Sequence, residues 1–200
     1  MNFAIDLNRY QALSFDLAEE NPSQEKWDQL QANISLIRDT IVYFTALANT
    51  KGLGGHTGGA YDIVPELLIV DGFMKGSDRI YPVYFDEAGH RVAAQYMMAV
   101  LNGHMKPDAL NHFREFDHGL YGHPEMDRQR GIFFSSGRLG HLWSYVNGVA
   151  EANPGKKLVM FGSDGSQQEG GDAEAARYAV TSPPCMGEFA LFCCLRARLR

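Results

Sequence analysis

Leu158-Val159-Met160-Phe161-Gly162-Ser163-Asp164-Gly165-Ser166-Gln167-Gln168-Glu169-Gly170 joins a short apolar run to a carboxylate inside a glycine-rich turn. Four apolar residues bounded by turn formers suit a fully buried strand, and the carboxyl ends of such strands are where α/β sheets place their ligands. Asp164 stands at that end and offers a hard oxygen of the kind Mg²⁺ accepts. Gly162 and Gly165 let the backbone pass close to a bound diphosphate, and a helix starting just beyond would turn free N–H groups toward its negative charge. Taken alone, the stretch also reads as a solvated Asp-Gly turn between a strand and a helix.

Outward from it, the elements alternate. Asp172 to Val180 reads as a helix with acidic residues in its first turn, and Leu139 to Ala152 as a helix that Asn153-Pro154-Gly155 turns into the strand. Gly131 to Ser135 is expected to form a strand, and Pro107 to open a helix with Leu110 and Phe113 inward. Ala88 to Leu101 shows helical spacing in Val92, Ala93, Tyr96, Met97 and Val100, with His90 at the helix start. Tyr81-Pro82-Val83-Tyr84-Phe85 is a short strand, and Asp62 is expected to cap a helix through Leu67, Leu68 and Val70, with Pro65 tolerated in its first turn. After Pro22-Ser23, the apolar positions Trp27, Leu30, Ile34, Ile37, Ile41, Phe44 and Leu47 recur every three or four residues, as on one buried helical face. Strands alternating with helices define an α/β fold, a mostly parallel sheet with helices on both faces.

Composition narrows the function classes. With 18 Lys plus Arg against 24 Asp plus Glu the net charge is −6, which argues against a general nucleic-acid or anionic-membrane binder. No apolar run approaches the ~20 residues that span a bilayer, and Met1 to Leu7 lacks the basic-then-apolar order of a secretory signal, so a cytoplasmic location is expected. All 3 cysteines, Cys185, Cys193 and Cys194, fall near the C-terminus, a poor basis for a disulfide framework or a zinc knuckle. His112 and His118 are six residues apart on an expected helix, which would put them on different faces, so no histidine zinc site is expected there.

Glycine and histidine recur together at element boundaries: Gly54-Gly55-His56-Thr57-Gly58-Gly59, Ala88-Gly89-His90, Tyr121-Gly122-His123-Pro124-Glu125 and Ser136-Gly137-Arg138-Leu139-Gly140-His141, followed by Ser163-Asp164-Gly165 with Glu169. Over roughly residues 33–180, this ordered series resembles the amino-terminal, thiamine-diphosphate-binding part of transketolase. The co-linear order is far more specific than any single turn. No Gly-x-x-x-x-Gly-Lys-Ser/Thr run exists, and no Gly-x-Gly-x-x-Gly follows a strand, which disfavours a generic nucleotide binder.

The resemblance implies thiamine diphosphate and Mg²⁺ as cofactors and transfer of two-carbon ketol units between sugar phosphates. It implies Asp164 as metal ligand, His90 and Gly165 near the diphosphate, and Gly137 and Leu139 at the cofactor rings. His56 and His123 match the histidines beside the reactive carbon, and Glu169 matches a carboxylate at the boundary with a second subunit. The sequence departs from the family at Ser163, at Thr57 and above all at Arg138-Leu139-Gly140-His141-Leu142, where the family turn has proline, glutamine and a further glycine.

The domain reading is residues 1–32 as an N-terminal extension and helix start, 33–180 as a partial diphosphate-binding domain, and 181–200 as a divergent tail outside the fold. The abrupt change after Val180, with Pro183-Pro184, is read as a shifted frame or retained intron. The pyrimidine-binding domain of the family has no counterpart here, so the chain is expected to be inactive by itself and to work as a homodimer or with a chain carrying that domain. The alternative is a non-catalytic homologue that pairs with and modulates a full-length enzyme.

Overall fold

The computed structural model describes residues 3–181 and the backbone of residues 189–193. The chain divides into two compact units, one of Met1–Gly76 with Gly89–Ser135, the other of Ser77–Ala88 with Ser136–Arg200.

The second unit holds the sheet. Strand β1 (Ile80–Asp86), β2 (Lys157–Gly162) and β3 (Phe189–Cys193) lie in the order β1-β2-β3, all parallel. The continuous apolar run Leu158 to Phe161 is buried throughout, as a central parallel strand requires. Pro82 lacks an N–H for the ladder, and the β1–β2 register shifts between Ile80 and Tyr84, the interval that contains it. Helix α5 (Leu142–Ala152) packs against β1 and β2, with Tyr145 edge-on to Phe85 at 6.0 Å. Helix α6 (Gly170–Thr181) packs on α5, where Asn147 Nδ2 donates to the Ala175 carbonyl at 2.9 Å.

Within the segment expected to lie outside the fold, residues 189–193 pair with β2 from Leu158↔Phe189 to Gly162↔Cys193. Cys185, Cys194 and the remainder of that segment beyond Thr181 lie outside the described residues.

The first unit is helical: α1 (Gln24–Thr50), α2 (Gly58–Asp62), α3 (Val64–Gly76) and α4 (Val92–Leu101), with short 3₁₀ turns between. Ser23 caps α1, its hydroxyl accepting from Lys26 N at 3.3 Å. Ile37, Ile41, Phe44, Leu67, Met97 and Leu110 form the core, and Phe113 meets both Phe44 and Tyr96 edge-on. Phe15 lies against Gly72, where a Cβ would overlap its ring, so helix α3 needs glycine at that contact.

Several expectations are corrected. Asp62 ends α2 instead of capping α3, because Ile63 alone separates the two helices. Gly131 to Ser135 is not a strand: only Ile132 bridges, to Asp127, in an antiparallel turn closed by Gly131 at φ +76°. The buried face of α1 includes Asn33, Thr40 and Thr45, while Trp27 is 41% exposed. Asn33 tolerates burial because its side chain exchanges two hydrogen bonds with the Gln11 backbone. Pro107–His112 forms a 3₁₀ turn, and His112 and His118 meet with their rings stacked at 3.7 Å.

Candidate cofactor site

In the second unit, Asp164 follows the last residue pairs of β2 and is exposed. Its Oδ1 accepts from Gly165 N at 3.0 Å, and no lysine or arginine pairs with the carboxylate among the described residues. Gly165 faces Leu139, whose Cδ1 would sit 3.4 Å from a Cβ placed there. Gly137 adopts φ +105° and Gly140 φ +79°, the left-handed region that glycine tolerates. A Cβ on Gly140 would fall 2.5 Å from Glu169 Cβ, and one on Gly171 would overlap the Gly140 carbonyl oxygen. The turn 137–140 and the loop 164–171 are thus interlocked through backbone, which brings Leu139, Gly165 and Glu169 together. Leu139 remains 42% exposed, whereas Leu142, one of the departures from the family turn, is buried.

Beneath this contact lie two carboxyls that the sequence reading missed. Glu87 Oε1 accepts from Gly140 N at 3.1 Å and Leu142 N at 3.4 Å, so the acid at the end of β1 fixes the turn. Asp172, in the first turn of α6, is 1% exposed and faces Glu87. Burial pushes the Asp172 carboxyl up to about 7; the neighbouring Glu87 adds to the rise and Ser166 opposes it. Both Asp172 oxygens and Glu87 Oε2 are buried without a backbone or hydroxyl donor, the Ser166 hydroxyl being turned to the Ser163 carbonyl at 3.0 Å. Burial of the two acids side by side favours keeping the Asp172 carboxyl neutral, and in that form it can donate to Glu87. No local pattern announces this pair, since its members are 85 positions apart.

In the first unit, His56 and His90 are both exposed and meet edge-on, ring centroids 5.4 Å apart. His90 lies in the 3₁₀ turn Gly89–Arg91 that leads into α4. Gly59 admits this approach, because a Cβ there would lie 3.1 Å from His90 Nε2. His123 is exposed in the turn before Pro124 and is tied to the His56 loop through Arg114. The Arg114 guanidinium donates to the Gly54 carbonyl and covers Gly122, where a Cβ would come 2.6 Å from Nη2. Arg114 itself has φ 65°, a left-handed conformation unusual for a side chain of its size. The structure therefore joins His56 to His90 directly and places His123 in a turn braced from the same arginine.

Residues 83–188 match the family described as transketolase, thiamine diphosphate binding domain. The match covers just over half of the chain, which therefore belongs to this family. Its cofactors are thiamine diphosphate and Mg²⁺. Among solved structures, the chain is 26% identical to a transketolase point variant from Pichia stipitis, with TM-score 0.68 over 82% of this chain and 26% of that one. A second Pichia stipitis transketolase variant, described in complex with xylulose 5-phosphate, gives 26% identity and TM-score 0.67 over 82% and 26%. Transketolase from Leishmania mexicana, at 22% identity, shares the fold with TM-score 0.65 over 80% and 27%. The α/β fold with a parallel sheet is thus that of the thiamine-diphosphate-binding domain, and the chain spans about a quarter of the length of these transketolases. Comparison with curated protein sequences finds no match. No helix among the described residues is long and apolar enough to cross a membrane.

The residues of the second unit fit a metal-bridged diphosphate. A single exposed carboxylate leaves room for the phosphate oxygens and waters that Mg²⁺ prefers as its other ligands. Gly165, next to the carboxylate, presents no side chain of its own and meets only Leu139 Cδ1 at the position a Cβ would take.

Proposed function

We propose that the chain supplies the thiamine-diphosphate- and Mg²⁺-binding part of a transketolase-like enzyme that moves two-carbon ketol units between sugar phosphates. The observation that carries this reading is the exposed, cation-free carboxylate of Asp164 at the carboxyl end of the central parallel strand, beside the interlocked Leu139, Gly165 and Glu169. When bound, the cofactor supplies a thiazolium carbon that stabilises a carbanion.

The chain's own residues bind, orient and exchange protons. Asp164 would hold Mg²⁺, whose charge offsets that of the diphosphate, while Gly165 would let the loop pass close to it. His90 would contact the diphosphate, and Gly137 and Leu139 would border the cofactor rings. His56 and His123 would hold and move protons at sugar oxygens, the general acid–base work for which an imidazole offers both a donor and an acceptor nitrogen. Glu169 faces a partner subunit. In this reading the chain works as a homodimer or beside a chain carrying the family's pyrimidine-binding domain, and by itself turns over little xylulose 5-phosphate with ribose 5-phosphate.

Titration calorimetry with thiamine diphosphate and Mg²⁺ tests the anchor. Binding by the wild type and its loss in Asp164→Ala support the reading; equal heats in both proteins refute it. A second reading, a non-catalytic partner of a full-length homologue, is favoured by Tyr145, Tyr178 and Val180, which α5 and α6 leave 54%, 47% and 72% exposed. Co-purification with such a homologue would support it, and a chain that stays monomeric in its presence would remove it.

A further inference from the structure

Away from the glycine-histidine turns, one short segment of the first unit gathers three metal-competent side chains. His112 Nδ1 lies 2.7 Å from Glu115 Oε2, and His118 Nε2 lies 3.4 Å from the same oxygen. The three ligand atoms fall within 4.8 Å of one another, and the two imidazoles stack at 3.7 Å with 13° between their planes.

A continuous α-helix would hold His112 and His118 on different faces. Here the helix is broken. The 3₁₀ turn Pro107–His112 ends at Phe113, Arg114 takes its left-handed conformation, and a second 3₁₀ turn runs from Phe116 to His118. Glu115 N donates to the His112 carbonyl at 3.0 Å and Arg114 N to the Leu120 carbonyl at 2.7 Å, which closes the loop and returns His118 over His112.

Lys51 completes the arrangement without filling it. Its Nζ donates to Glu115 Oε1 at 2.5 Å and to the Asn111 carbonyl at 2.7 Å, so one carboxylate oxygen is pinned and the other faces the two imidazoles. Such an outer partner fixes the orientation of a ligating carboxylate.

Tetrahedral zinc with bonds of about 2.1 Å separates its ligand atoms by about 3.4 Å, the spacing of His118 Nε2 and Glu115 Oε2; to join them around an ion, His112 must give up its 2.7 Å hydrogen bond to Glu115 and turn out of the stack, because a metal lies in the plane of each imidazole it binds. The donor set, two imidazole nitrogens and one carboxylate oxygen, favours a borderline ion over Mg²⁺ or Ca²⁺. His112 and His118 side chains are 40% and 47% exposed, which opens the position between them to solvent.

We propose that His112, Glu115 and His118 form a binding site for a divalent transition-metal ion, Zn²⁺ by its donor set, with water at the remaining position. The site uses none of the residues assigned to the cofactor and stands independently of that reading.

Titrating the full 200-residue protein with Co²⁺ tests this, followed by displacement with Zn²⁺. One equivalent should bind with the visible absorption of a tetrahedral site and be displaced by Zn²⁺. His118→Ala and Glu115→Gln should each weaken binding at least about tenfold, while His104→Ala and His56→Ala bind as the wild type does. Lowering the pH through the imidazole range should release the ion. Exposed His118 is replaceable without loss of the fold, which circular dichroism checks. Absence of saturable one-equivalent binding, or equal affinity in His118→Ala and the wild type, overturns the proposal.

Discussion

Replacing Asp172 with asparagine removes a charge from a place where the fold resists holding one. In the unfolded chain the carboxyl titrates at its ordinary 3.8; in the folded protein, burial beside Glu87 raises it to about 7. Between those values the folded state keeps a proton that the unfolded state has released. The unfolded state then binds fewer protons, so stability falls as pH rises. The contribution is fully present below about pH 4 and is lost as pH climbs through about 7.

About three pK units at about 1.4 kcal/mol each set a ceiling of about 4 kcal/mol. Sharing of the proton with Glu87 and residual screening by solvent reduce the realised effect to about 1–2 kcal/mol. Asparagine keeps the shape, carries no charge, and its amide can donate to Glu87 Oε2. Asp172→Asn should therefore match the wild type within about 0.5 kcal/mol at pH 5 and exceed it by about 1–2 kcal/mol at pH 8. For a chain of this size that is about 3–6 °C in Tm.

Urea unfolding followed by tryptophan fluorescence at several pH values, with a constant m-value, measures the difference. Glu87→Gln should flatten the same profile, because the titration belongs to the pair. Parallel pH profiles for wild type and Asp172→Asn would refute the shared-proton account.

Gly171→Ala should destabilise the protein by about 2–3 kcal/mol, since its Cβ overlaps the Gly140 carbonyl and backbone must move. Gly148→Ala, in the interior of α5 with open space around it, should stabilise by about 0.5–1 kcal/mol; reversal of this order in thermal melts would contradict the interlocked turns. Arg114→Ala should cost about 1–3 kcal/mol by leaving the Gly54 carbonyl without its charged donor, and should speed amide exchange around both His56 and His123. Faster exchange at only one of those turns would show that the arginine does not brace both.

The elements read best from the sequence are those whose signal is local. Leu158 to Phe161 is apolar without interruption because β2 is central and parallel, and the Ser23 cap marks the start of α1 directly. Misreadings arise where tertiary context decides. Gly131 to Ser135 has strand composition, yet no neighbouring strand accepts it and Phe133 stays 36% exposed. Trp27 fits the helical period but lies beyond the region that the rest of the unit covers, whereas Asn33 is buried because the Gln11 backbone meets its amide. His112 and His118 were placed by a 3.6-residue period that the left-handed Arg114 interrupts, and nothing in the residue type forecasts that kink.

Of the candidate site, the turns were legible and their support was not. Glycines at 137, 140 and 165 mark backbone that must bend or touch; in the structure 137 and 140 take positive φ, and 140 packs against Glu169 and Gly171, a glycine the sequence reading did not single out. What holds the first turn in place is a glutamate on another strand end, whose acceptor oxygen binds two N–H groups of the 137–142 segment. An acceptor with that task needs its other oxygen satisfied in a dry environment, and a second acid can do so only by bringing a proton. Asp172 therefore follows physically from Glu87: once the turn is anchored by a buried carboxylate, its neighbour must be a donor, and a carboxylic acid retained in its neutral form is one. The turn that carries Leu139 beside Gly165 is held by Glu87, and burial beside that acid drives the Asp172 carboxyl toward its neutral form.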